Sequence, residues 1–131
     1  MNPDIKKQWV SALRSGKYRQ GRKVLHSSYN TYCCLGVLCE LARESGVKID
    51  YVEGYEGALP RIFYDNEAYE LPPSVREWAG VENSNPAVTA PSPFRDTDEE
   101  GNVVIERTSL AELNDDGATF EAIAQIIEEQ L

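Results

Sequence analysis

The sequence predicts an α+β domain: a small antiparallel sheet packed with a central buried helix and with helices at the N- and C-termini. Three observations predict it. Both ends of the chain carry capped segments whose apolar residues repeat at helical spacing. The run Tyr32-Cys33-Cys34-Leu35-Gly36-Val37-Leu38-Cys39-Glu40-Leu41-Ala42 is the longest apolar stretch without a strong breaker. Between these lie short β-branched and aromatic segments separated by Gly, Pro, Asn and Asp, the punctuation of strands and turns.

In chain order, Asn2-Pro3-Asp4 supplies an N-cap, a first-turn proline and a first-turn acid. Ile5, Trp9, Ala12 and Leu13 then form an apolar face, and Ser15-Gly16 ends the helix. Residues 17–26 read as extended and broken at Gly21, 27–30 as a turn, and Thr31-Tyr32-Cys33 as strand. A hairpin pairing 22–26 with 30–34 is the simplest assembly. The central helix should span roughly 34–45, bury Leu35, Leu38, Leu41 and Ala42, and stop at Gly46.

Further on, Val47 to Val52 and Arg61 to Tyr64 are candidate strands, with Gly54 and Gly57 loosening the chain between them. Leu71 to Gly80 opens on prolines and contains Ser74 and Glu77 in capping-box relation, which predicts a short helix with Val75 and Trp78 in the core. Residues 83–93 carry three prolines and should be extended or irregular. Asp96 to Gly101 reads as an exposed acidic tip leading to a strand at 103–105. Ser109 and Glu112 form a second capping box over Leu110 and Leu113, Asn114 to Gly117 a tight connection, and Thr119 caps a last helix built on Phe120, Ile123, Ala124, Ile127 and Leu131.

Composition narrows the functional classes. A chain of 131 residues fits one domain and can bury a core without metal or disulfide staples. It has no run long and apolar enough for a membrane span and no signal-peptide core, and its three cysteines suit reduced thiols, so a cytoplasmic protein is expected. The net charge of −9 divides unevenly, with +6 over residues 1–48 and −15 over 49–131. A basic segment on an acidic body suits a small anionic ligand better than nucleic acid, whose binders show a broad basic face.

Candidate chemistry concentrates in two places. Lys17, Tyr18, Gln20, Gly21 and Arg22 combine cations, an amide and a glycine that lets backbone N–H groups approach an anion. The helix start near Cys34 would add positive dipole character, and Tyr18, Tyr29 and Tyr32 could stack on a base. Asn114 and Asp115 could read a base and a ribose hydroxyl, or could simply cap and turn. His26 with Cys33, Cys34 and Cys39 raises zinc or thiol catalysis. The spacing lacks a second cysteine pair, and no orienting Asp or Asn is placed, so neither a metal, a cofactor nor a catalytic set is expected.

Four motifs taken together resemble a family of small, functionally unassigned proteins carried by bacteriophages and prophages. They are Tyr18-Arg19-Gln20-Gly21 after the Trp9 helix, Tyr32 to Cys39, Leu71 to Trp78, and Leu113 to Phe120 leading into Ile123-Ala124. The resemblance implies expression inside an infected bacterium and carries no catalytic residues with it. With the basic segment, it leads to the expectation of a phage anti-defence accessory protein that sequesters a nucleotide-type signal as a homo-oligomer. The alternatives are an inhibitor that meets a host protein through its acidic surface, and a cysteine-dependent enzyme.

Overall fold

The structure is a computed structural model that describes residues 1–92 and 97–131. Pro93 and Asp96, at the ends of two expected segments, lie outside the described residues. The architecture is α+β, with, among the described residues, five helices and two separate two-stranded antiparallel sheets where the sequence suggested one.

Helix α1 (Pro3–Arg14) begins as its cap predicts: Asn2 Oδ1 accepts from the amides of Asp4 (2.9 Å) and Ile5 (3.2 Å). It buries Ile5, Trp9, Val10 and Leu13, and Trp9 Nε1 donates to the Cys34 carbonyl at 3.0 Å. Helix α5 (Phe120–Gln130) is capped by Thr119, whose Oγ1 accepts from the Ala122 amide at 3.1 Å, and it lies beside α1. Arg14 spans the two helices, reaching Glu128 at 2.7 Å, Glu121 at 3.1 Å and Gln125 at 3.1 Å.

Helix α2 (Cys34–Glu44) is the centre of the molecule, with Cys34 to Glu40 and Ala42 buried. Gly36 explains how closely it is approached. A Cβ placed there would stand 1.7 Å from the Leu25 carbonyl oxygen, so only a hydrogen lets that segment cross the helix.

The hairpin expected between 22–26 and 30–34 is not a ladder. Its turn exists, with the Asn30 amide donating to the Ser27 carbonyl at 3.0 Å and Asn30 in the left-handed region at φ 64°. Beyond it the expected pairing is limited to one antiparallel bridge, His26 to Tyr32, flanked by Ser27 N donating to the Thr31 carbonyl at 2.9 Å and Cys33 N to the Leu25 carbonyl at 3.2 Å. Tyr32 makes a separate parallel bridge to Gln20. The amides a ladder would use are held elsewhere: Lys23 N donates to Asp115 Oδ1 at 2.7 Å and Leu25 N to the Ala68 carbonyl at 2.7 Å.

A regular hairpin forms instead from β1 (Tyr51–Glu56) and β2 (Leu59–Tyr64), turning through Gly57 at φ 64°. Gly54 belongs to this strand rather than to a loop, and the Phe63 ring lies 3.0 Å from where its Cβ would be. Helix α3 (Pro73–Ala79) starts at Pro72 rather than on a Ser74 cap. The Ser74 hydroxyl, already inside the first turn, donates to Asp65 Oδ2 at 2.5 Å, so the predicted capping box does not form. Val75 is buried there, and Trp78 only half-buried.

Strands β3 (Ala87–Pro91) and β4 (Ile105–Ser109) make the second sheet, the latter two residues beyond its expected start. Helix α4 (Leu110–Asp115) follows directly, with Ser109 Oγ accepting from Glu112 N at 3.2 Å. Only half of that capping box is present, since the Glu112 carboxylate takes the Thr108 hydroxyl at 3.0 Å. Asn114 and Asp115 therefore sit in the last turn of α4, not in a connection, and Gly117 at φ 101° turns the chain into α5.

Candidate functional site

Five of the residues singled out in the sequence meet at the start of α2. Gln20 Nε2 donates to Asn114 Oδ1 (3.0 Å) and to the Ala118 carbonyl (2.8 Å). Asn114 Oδ1 also accepts from the Cys34 amide at 3.2 Å, while its Nδ2 donates to the Gly21 carbonyl at 2.8 Å. Asp115 holds the Lys23 amide as described above. Cys33, the residue preceding the helix, offers no side-chain cap among the described residues, so Asn114 caps α2 from another element. Asn114 is fully buried and its carboxamide is spent on protein groups. The geometry gives Gln20, Gly21, Cys34, Asn114 and Asp115 a joint structural task, a clasp tying residues 20–23 to α2 and α4. Arg22 is exposed beside it, with Nη2 3.2 Å from where a Gly117 Cβ would stand.

Lys17, Tyr18 and Tyr32 belong to a different place. They border an open depression of about 440 Å³, with Arg19 beside Lys17, Tyr29 and Asn30 beside Tyr32, and α2 contributing Glu40 and Glu44. A depression of this size suits a small molecule. Lys17 and Arg19 are exposed cations, and Lys17 reaches Glu44 only at 4.0 Å with both side chains largely in solvent. Tyr29 is 76% exposed, and the buried Tyr18 and Tyr32 rings meet edge-on at 5.2 Å.

The Tyr18 hydroxyl is the informative atom. Tyr18 is only 8% exposed, and its Oη has no hydrogen-bond partner among the described residues. Burial and then the Glu44 carboxylate push its phenol pKa up, and the nearby Lys17 ammonium partly offsets this. An ammonium can only donate, so the phenolic proton still lacks an acceptor. A larger groove of about 500 Å³ beside α1 is bordered by Lys6, Lys7 and Arg14, but Arg14 is already committed to α5.

Behind the depression lies a buried polar chain that sequence reasoning did not find. Arg43 clamps Glu40 through Nη2 (2.5 Å) and Nε (3.2 Å). Tyr64 Oη donates to Glu40 Oε2 at 2.9 Å and meets His26 Nδ1 at 2.9 Å. His26 Nε2 faces Asn30 Oδ1 at 3.0 Å, and the imidazole stacks on Tyr32 at 4.0 Å. His26 is therefore fixed on both ring nitrogens, far from a role as base for a cysteine. Burial lowers its pKa below the ordinary 6.5, while burial and then Glu40 raise Tyr32 to about 12. One signal could have revealed this chain: Glu40 is the only acid inside the apolar run 32–42, with Arg43 three residues on to pair it.

The thiols point away from chemistry. Cys33, Cys34 and Cys39 are buried and free, and desolvation raises all three pKa values, Cys33 to about 11. Among the described residues, no group of three or more His, Cys, Asp or Glu is placed to hold a metal ion, and no helix is long and apolar enough to cross a membrane.

No curated protein and no solved structure matches this chain. The model of one family, described as a domain of unknown function (DUF8296), matches residues 1–131 from end to end, and the protein belongs to that family.

Proposed function

We propose that the protein binds and sequesters a small anionic ligand of nucleotide type in the depression between residues 17–19, residues 29–32 and α2. The Tyr18 hydroxyl carries this reading: it is a buried O–H donor without an acceptor at the wall of a depression where Lys17 and Arg19 offset Glu40 and Glu44. A ligand oxyanion that displaces the side chains covering it would satisfy it. The exposed Tyr29 ring gives an aromatic group of the ligand a surface to stack on, and Asn30 offers a carboxamide to its polar edge. The buried, high-pKa thiols favour holding a ligand over cysteine-dependent conversion of one. The motif resemblance to phage and prophage proteins supports an anti-defence role, in which the ligand is a signal of host immunity.

Native mass spectrometry of protein purified from bacterial cells is the first test, with Tyr18→Phe alongside. The wild type should release a nucleotide-sized mass after mild denaturation. Tyr18→Phe should fold at least as stably, because it removes a buried hydroxyl whose isolation costs on the order of 1–3 kcal/mol, and should retain less ligand. Equal ligand in both proteins would overturn the site assignment. A second reading, an inhibitor of a host protein, is favoured by the exposed Tyr51, Val52, Tyr55 and Leu59 on an acidic hairpin. A co-purifying host protein in place of a small mass would support it.

A further inference from the structure

We infer that Asn30 sets the ligand preference of this depression, and that the protonation state of His26 decides whether Asn30 turns its carboxamide oxygen or its amide hydrogens toward the ligand. The inference rests on the ligand reading above and adds its regulation.

The argument follows protons along the buried chain. Glu40, clamped by Arg43, is a carboxylate beside the Tyr64 hydroxyl, and a charge-assisted bond takes that proton in preference to a neutral acceptor. Tyr64 Oη then accepts, so His26 Nδ1 must donate to it. A neutral imidazole has one N–H, which leaves Nε2 with a lone pair facing Asn30. That lone pair is satisfied only if Asn30 presents its NH2 group inward, which turns the carbonyl toward the depression. When Nε2 is protonated the requirement reverses. Asn30 Oδ1 then faces the ring, as it does in the structure at 3.0 Å, and the NH2 group faces outward. The Tyr32 hydroxyl, 3.4 Å from Oδ1, can donate to it in this second state.

Every charged or titratable group near His26 fits the scheme. Glu40 and Arg43 come from α2, Tyr64 from β2, Tyr51 from β1 at 6.1 Å between ring centroids, and Tyr32 stacks on the imidazole. Asn30 can reorient because its left-handed backbone holds it at the tip of an exposed turn. An outward NH2 group favours an anion, and an outward carbonyl favours a donor such as a base amine.

The test uses side-chain 15N NMR of His26 through a pH titration, with inorganic sulfate as the anion probe because its charge is constant over the range. Above its pKa, wild-type His26 should be the Nδ1–H tautomer, and Tyr64→Phe should switch it to Nε2–H. An Nε2–H tautomer in the wild type would overturn the inference. Asn30→Asp, which can only accept, should raise the His26 pKa. An unchanged or lowered value would count against the coupling. Sulfate should bind roughly three- to tenfold more tightly at about pH 5 than at about pH 8, the worth of one hydrogen bond, and this step should shrink in Asn30→Gly, which tolerates the left-handed backbone. A step of equal size in Asn30→Gly, or flat binding in the wild type, refutes the role of Asn30 and leaves the ligand site standing. No sulfate binding at any pH refutes the ligand reading and this inference with it.

Discussion

Replacing Asn114 with alanine should destabilise the whole fold rather than merely empty a site. The side chain is fully buried and joins three groups: it accepts from Gln20 and the Cys34 amide and donates to the Gly21 carbonyl. Alanine strands the Cys34 amide and the Gly21 carbonyl, whereas Gln20 keeps the Ala118 carbonyl. Each stranded buried group costs about 1–3 kcal/mol, so the loss should be about 3 kcal/mol, a large share of the 5–15 kcal/mol typical of a domain. Urea denaturation followed by tryptophan fluorescence measures it, since Trp9 is buried and bonded to the Cys34 carbonyl within the same region. Asn114→Asp sharpens the test. Its carboxylate keeps the acceptor but opposes the Gly21 carbonyl, so stability should recover on acidification, when a protonated carboxyl can donate again. A loss below about 1 kcal/mol in Asn114→Ala would refute the clasp, and loss of ligand with full stability would return Asn114 to the binding site.

Three further outcomes follow from the same geometry. Gly36→Ala gains about 1 kcal/mol of helix propensity but drives a methyl to 1.7 Å from the backbone oxygen of Leu25, so the clash should dominate and the midpoint of thermal unfolding should fall. At about pH 8 the three thiols should resist iodoacetamide in the native protein and react only on unfolding, as mass spectrometry of the alkylated chain will show, because burial holds their pKa values above the ordinary range. His26 is held below its unfolded value of 6.5, so the unfolded chain takes up the proton first, and stability should fall as pH drops from about 7 toward 5.5; denaturation of His26→Asn should show a shallower slope over that window.

The helices at both ends were legible because their signals are local: Asn2 and Thr119 cap within three residues of themselves, and their apolar faces repeat without interruption. What the sequence could not show is set by contacts across long separations. The predicted hairpin at 22–34 stops at one antiparallel bridge, His26 to Tyr32, because Asp115 and Ala68, distant in the chain, hold the amides of Lys23 and Leu25. Ser74 looks like a helix cap until Asp65 claims its hydroxyl, and Gly36 looks like a weak point in a helix until Leu25 crosses it. The candidate residues divide between two places, Gln20, Gly21, Cys34, Asn114 and Asp115 in one and Lys17, Tyr18 and Tyr32 in the other, and periodicity carries no information about that division.

The division itself argues for where the function lies. Segment 17–33 faces two polar networks of opposite character. At Gln20, Asn114 and Asp115 the hydrogen bonds close on one another, so a ligand would have to displace bonds that hold α2 in place. At Tyr18 and Asn30 the network is open: a buried hydroxyl lacks an acceptor, and a carboxamide has one side committed to His26 and the other at the depression. Closed buried networks stabilise a fold, while an unmet donor beside cations costs stability unless something binds it. On that ground the proposed ligand site belongs at Tyr18, Asn30, Lys17 and Arg19, while the hydrogen bonds of Asn114 hold their segment in position.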